Sequence, residues 1–311
     1  MKVFNNLLEV KKDKNTILTL GTFDGIHLGH KKIIETVVKK ASENGGRSFL
    51  ITFNPHPRNV LSGNSIKLLN SQDEKLEILG SLDIDEVLVI NFTKEFSQLN
   101  SEEFFKSYIV DKIGLNEIVV GFDHHFGKGR GGNENTLKEL GLKYGFGLTK
   151  VDAVLIDGLN VSSSKIRNAL IIGDIHTANK LLGRVYSFRG VVIKGDGRGR
   201  TLGFPTANVK LNDDNKLMPA IGIYVVEIII EGNKHFGLMS IGKRPTFYTD
   251  GQLTNEVFIF DFGKDIYGFT ISVNILERIR GEEKFSSAGD LISQMNKDTE
   301  IGLDIINKLA K

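Results

Sequence analysis

Two hydrophobic rhythms divide the chain. In the first half, short apolar runs alternate with stretches whose apolar residues recur every three or four positions. Residues 16–23 form a β-type run that ends in a glycine turn. Over residues 28–44, Ile33, Ile34, Val37, Val38 and Ala41 fall on one helical face. Gly45 and Gly46 close that helix, and the unbroken run Phe49, Leu50, Ile51 marks residues 48–53 as a strand. The alternation continues through a helix at 73–80, a strand at 86–90, a helix at 101–113 and a strand at 117–121. This order predicts α/β architecture, a parallel sheet flanked by helices. Ligands bind beyond the carboxyl ends of such strands, where the turns after Leu20, Phe53 and Val120 lie.

Beyond Ser162 the pattern gives two short helices, broken at Gly173 and ending at Gly183, and then changes. Closely spaced β runs follow at 186–194, 222–230, 235–241, 255–262 and 270–276, with connections short enough for antiparallel pairing. They predict an all-β unit, a small closed barrel. Residues 287–310 carry Leu291, Met295, Ile301, Ile305 and Leu309 on one helical face, which predicts a terminal helix packed on that barrel. The expected domains are 1–184 and 185–311.

Composition narrows the chemistry. A length of 311 residues fits two domains, each able to bury a core. Forty basic against thirty-eight acidic side chains leave a net charge of +2, without the broad basic surface of a nucleic-acid binder. With no cysteine, disulfides and thiolate chemistry are excluded, and oxygen and nitrogen groups must do the work. The apolar stretch at 221–230 is shorter than the ~20 residues needed to span a bilayer. No signal-peptide core stands at the start. The expectation is a cytoplasmic protein of small-molecule substrates, with no nucleic acid, membrane or obligatory protein partner.

Three segments suggest phosphate chemistry. Gly21, Thr22, Phe23, Asp24, Gly25, Ile26, His27, Leu28, Gly29 and His30 leave a strand and enter a helix, with two imidazoles three residues apart. Free amides and the helix dipole favour a phosphate there, Gly25 and Gly29 allow close approach, and His27 and His30 add donors for charge that builds on an α-phosphoryl group. Later, Ser162, Ser163 and Ser164 open a helix with Arg167 in its first turn, a second group able to hold a triphosphate. His56, between Pro55 and Pro57, and Asp123, in the turn from Gly121 to Gly127, are expected to line the ligand at the same edge. His124 and His125 are loop histidines, because adjacent residues diverge and no carboxylate cluster completes a metal site.

The third segment runs from Gly195 to Asn208 and is rich in glycine and arginine. Gly195, Arg200, Thr201, Gly203 and Pro205 suit a phosphate-binding turn, and Thr206 and Asn208 supply hard oxygens suited to Mg²⁺. Glu256 stands beside Phe258 and Phe260 on one strand face and is the candidate base for a hydroxyl acceptor.

The first set resembles the FAD synthetase module of the bacterial bifunctional riboflavin kinase/FAD synthetases, a branch of the nucleotidylyltransferases with a His-x-Gly-His signature. The resemblance spans residues 16–183 and implies a Rossmann-like domain. By it, His27 and His30 bind ATP phosphates, Ser163, Ser164 and Arg167 form a second phosphate arm, and Asp123 and His56 shape the substrate pocket. His124 and His125 stand where the family often has Phe and Arg. The run Thr201, Leu202, Gly203, Phe204, Pro205, Thr206, Ala207, Asn208 resembles the riboflavin kinase signature, and the likeness extends through residues 241–247, 255–262, Arg280, Glu283, Lys284 and Phe285. It implies Glu256 as base and Arg280 in the binding set. The expected activity is phosphorylation of riboflavin to FMN and adenylylation of FMN to FAD, with ATP and Mg²⁺. An adenylyltransferase with another acceptor and a flavin-binding regulator stand as alternatives.

Overall fold

The computed structural model describes residues 1–62, 65–195, 199, 203–243 and 253–309. The chain divides into two compact units, Met1–Ser163 and Ser164–Lys311.

In the first unit the strands are β1 (Lys2–Phe4), β2 (Thr16–Leu20), β3 (Arg47–Asn54), β4 (Glu86–Asn91), β5 (Glu117–Gly121) and β6 (Gly147–Val151). All pair in parallel in the order β1-β4-β3-β2-β5-β6. Every residue of β2 is buried, because helices cover both faces of the sheet. Leu18 and Leu20 point into one core with Phe49, Ile51 and Ile118, while Ile17 joins Ile34, Val37 and Leu50 in the other. The period of two thus feeds two hydrophobic layers from one strand.

The helices are α1 (Leu28–Glu43), α2 (Pro57–Leu61), α3 (Gln72–Gly80), α4 (Ser101–Phe104) and α5 (Glu134–Tyr144). The helix expected at 101–113 widens after α4 into a π-helical stretch, Phe105–Ile113, whose Phe105, Ile109 and Ile113 are buried. There Phe105 packs against both Phe126 and Phe146. At the edge away from the candidate site, Arg47 bonds Thr16 Oγ1 at 2.9 Å, Glu86 at 2.7 Å and the Ile113 carbonyl at 2.9 Å. Strands β7 (Leu155–Ile156) and β8 (Leu159–Asn160) form a small hairpin.

The second unit opens with α6 (Ser163–Ile172) and α7 (Ile175–Leu182). A closed barrel follows: β9 (Tyr186–Ile193), β10 (Thr206–Leu211), β11 (Gly222–Ile230), β12 (Asn233–Lys243), β13 (Leu253–Ile259) and β14 (Thr270–Arg280), in the order β10-β13-β12-β11-β14-β9. Strand β10 occupies a stretch the sequence pattern left as a proline turn. Both helices pack on the barrel: Asn179 donates to the Ile275 carbonyl at 3.1 Å and accepts from the Tyr186 amide at 2.7 Å, and Ala220 donates to the Leu170 carbonyl at 2.9 Å.

The terminal helix is α8 (Ala288–Leu309). Its buried residues are Asp298 and Gly302, whereas Ile301 is 44% exposed and Leu309 63% exposed. The apolar face expected through Ile301 and Leu309 is therefore displaced. Contact instead follows the four-three spacing Leu291, Met295, Asp298, Gly302, Ile305, with Gly302 lying under Leu238 and Phe260.

Candidate active sites

The turn after β2 is held open at high cost in backbone freedom. Phe23, Gly25 and Ile26 have φ of 46°, 87° and 36°, in the left-handed region that only glycine adopts easily. A Cβ on Gly25 would come within 2.7 Å of Leu69 Cδ1. The phenylalanine and isoleucine rings and chains are 2% and 3% exposed, so burial fixes them. Asp24, 2% exposed, accepts the Leu69 amide at 2.9 Å and the Asn70 amide at 3.4 Å, and its own carbonyl accepts Ser163 Oγ at 2.9 Å. Asp24 is thus a strut of the turn.

His27 caps α1, and its Nδ1 accepts the His30 amide at 3.3 Å. An accepting Nδ1 carries no proton, so the proton of the neutral ring sits on Nε2, which becomes a donor at the helix start. The two imidazoles stack at 3.7 Å and 13°, and Phe23 meets His30 edge-on at 5.1 Å. The three-residue spacing therefore brings both rings to one place, at the positive end of the helix.

The other expected residues take differing positions. His56 is half-buried and caps α2, accepting the Arg58 amide at 3.2 Å. Asp123 is exposed at the end of β5. Beside it a cavity of about 200 Å³ is lined by Gly121, Phe122, His124, His125, Glu134 and Lys150 among others. His124 stacks on Phe126, its Nε2 finds no partner among the described residues, and burial pushes its pKa down to about 4. Ser164 and Arg167 belong to the second unit. The helix begins at Ser163, so Arg167 stands in its second turn rather than its first. Sequence reasoning missed Lys75, a lysine 6% exposed whose Nζ donates to the Thr22 carbonyl at 3.0 Å. Its one signal is position, since Lys75 shares the helical stripe of Ile78, Leu79 and Leu82.

On the barrel, residue pairing gathers a second set. Asn208 lies opposite Glu256, and Thr206 opposite Phe258, across β10 and β13. Ala207 and Val257 between them face inward, so Thr206, Asn208, Glu256 and Phe258 share the outer face. Thr206 Oγ1 donates to Glu256 Oε2 at 3.3 Å. Gly195 lies against the Asn208 amide group, which a Cβ at that position would push aside. Phe204 and Phe260 meet Phe258 edge-on at 5.2 and 5.6 Å, forming an aromatic wall beside the carboxylate. Gly203 has a φ of 87° and Pro205 is exposed, while Arg200 and Thr201 lie outside the described residues. Arg280 is committed elsewhere: Nε and Nη2 bond Asp298 at 3.0 and 2.7 Å, and Nη1 bonds the Gly281 carbonyl at 3.0 Å.

A hydroxyl, an amide oxygen and a carboxylate on one face are hard oxygen donors that fit Mg²⁺. Among the described residues no cluster of three His, Cys, Asp or Glu could hold a metal by itself. The set therefore suits an ion that keeps phosphate oxygens and water as its other ligands.

Comparison with known proteins agrees with both halves. The family model for FAD synthetase matches residues 9–165, and that for riboflavin kinase matches residues 182–306. A bifunctional riboflavin kinase/FMN adenylyltransferase of Listeria monocytogenes is 38% identical, covering 93% of this chain and 91% of its own. The Bacillus subtilis protein of that name is 37% identical, with 97% and 96% covered. The chain belongs to this family. The Escherichia coli K12 member is 33% identical over 91% of this chain and 90% of its own. A solved structure described as a macrolide-efflux protein from Streptococcus pneumoniae is 34% identical with a TM-score of 0.88, covering 96% of this chain and 97% of that one. Among the described residues no helix is long and apolar enough to cross a membrane.

Proposed function

We propose that this family member makes two consecutive transfers from ATP: phosphorylation of riboflavin, giving FMN and ADP, and adenylylation of FMN, giving FAD and pyrophosphate. The first is assigned to residues 185–311 and the second to residues 1–184. The observation that carries the reading is that each half gathers its own set of phosphate-handling groups, stacked imidazoles at a helix start in one and Thr206, Asn208 and Glu256 on a barrel face in the other.

In the kinase reaction, Glu256 orients the riboflavin hydroxyl and takes its proton as the phosphoryl group arrives, while the ring lies near Phe258. Thr206 and Asn208 would hold Mg²⁺, which neutralises phosphate charge when bound. Gly195, Arg200, Thr201, Gly203 and Pro205 are assigned to binding of the ATP phosphates, and Arg280 acts through the position of α8. In the adenylyl transfer, the Nε2 proton of His27 and the ring of His30 donate to α-phosphoryl oxygens as charge grows there. Gly21, Phe23, Asp24, Gly25 and Gly29 shape the turn that presents them. Ser163 braces the same turn through the Asp24 carbonyl, and His56 and Asp123 border the flavin.

The test incubates the protein with riboflavin and MgATP and follows FMN, FAD, ADP and pyrophosphate by chromatography. Glu256→Ala is expected to lower FMN formation by roughly 10²- to 10⁴-fold and leave adenylylation of supplied FMN intact. His30→Ala is expected to do the reverse, by roughly 10²- to 10³-fold. Loss of both reactions from either change in folded protein rules out two separate sites.

A further inference from the structure

The stacked histidines stand at the end of a turn whose backbone is strained at Phe23 and Ile26, and strain of this kind persists only where neighbours over-determine it. Three ties do so. The Asp24 carboxylate takes the Leu69 and Asn70 amides, the Asp24 carbonyl takes Ser163 Oγ, and the Thr22 carbonyl takes two donors. Those donors are Thr52 Oγ1 at 3.1 Å and Lys75 Nζ at 3.0 Å, and the ammonium also lies 3.4 Å from the Thr52 hydroxyl.

Lys75 is the costly member. It sits in α3, whose start is set by a capping box between Ser71 and Glu74, and it is 6% exposed on a stripe otherwise made by Ile78, Leu79 and Leu82. A leucine or methionine would fill that place without desolvating an ammonium, so the charge is retained for what it holds. Burial lowers its pKa to about 8 against the opposing pull of Asp24.

We infer that Lys75 is a positioning residue for adenylyl transfer: its buried ammonium pins the Thr22 carbonyl and so presets His27 and His30 against the nucleotide. It touches no reacting atom and acts through the turn alone. The inference rests on the adenylyl-transfer reading above and adds a residue to that site.

The experiment uses the full chain in three forms: wild type, Lys75→Met and Thr52→Val. Rates of FAD formation from FMN and MgATP are measured beside rates of riboflavin phosphorylation on the same preparations. Lys75→Met is expected to lower kcat for FAD formation by roughly ten- to a hundredfold, with KM for FMN changed by less than about twofold. Thr52→Val should produce a smaller loss of the same kind, and riboflavin phosphorylation should be unaffected in both. A wild-type kcat in folded Lys75→Met overturns the inference, as does a loss shared equally by the kinase reaction. Should Lys75→Met fail to fold, an unchanged kcat in Thr52→Val overturns it. If wild type itself forms no FAD, the adenylyl-transfer reading fails instead.

Discussion

His27 illustrates how much one hydrogen bond decides. Because its Nδ1 caps the helix, the ring keeps its proton on Nε2, and which nitrogen can donate follows from local backbone geometry. His124, in the next turn of the same sheet edge, is governed by burial instead. Its pKa falls from 6.5 to about 4, so between those values the unfolded chain binds a proton that the folded chain refuses. The stability His124 contributes is present above pH 6.5 and lost as pH falls toward 4. At pH 4.5 the loss relative to pH 7 is about 2 kcal/mol. His124→Phe, which keeps the stack on Phe126 but cannot titrate, should remove that part of the acid sensitivity. Urea unfolding of both proteins at pH 7 and 4.5 checks it, and an equal loss in both shows that His124 does not contribute.

At the scale of elements, α8 is fastened by a pairing that no hydrophobic pattern announces. Arg280 and Asp298 are 14% and 4% exposed in their side chains and bond through two nitrogens, so removing one partner leaves a buried charge. Asp298→Ala is expected to destabilise the barrel unit by about 3 to 5 kcal/mol. Replacing both residues by leucine or methionine should recover most of that loss, as measured by denaturant midpoints. The misplaced face of α8 has the same origin. Aspartate and glycine do not read as core residues, yet Gly302 lets Leu238 and Phe260 approach the helix and Asp298 satisfies Arg280. Strand β10 escaped notice because its residues 206–208 are half-buried and partly polar, without a clear alternation.

At the scale of the molecule, α6 and α7 belong with the barrel by their contacts, although a sequence boundary at about 184 leaves them with the first half. Leu170, Ile175, Ala178, Leu181 and Leu182 are buried, and Asn179 bonds both Tyr186 and Ile275. A fragment of residues 164–311 is therefore expected to fold and phosphorylate riboflavin. A fragment of 185–311, which exposes the barrel surface those helices cover, should unfold at lower denaturant concentration. Equal midpoints for the two would show that the helices contribute nothing to the second unit.

Much was legible without coordinates. Strand and helix periods separated a parallel α/β half from a barrel half, and glycines beside His27 and His30, or beside Thr206 and Asn208, marked two turns, because these features depend on neighbours along the chain. Tertiary structure alone decided which distant groups meet. The buried Lys75 under the Thr22 carbonyl, the Asp24 strut, the Thr206 to Glu256 pairing across β10 and β13, and the Arg280 clasp on α8 join residues many positions apart. A buried charge is read as surface from its type, and only packing reveals that its partner waits on another element.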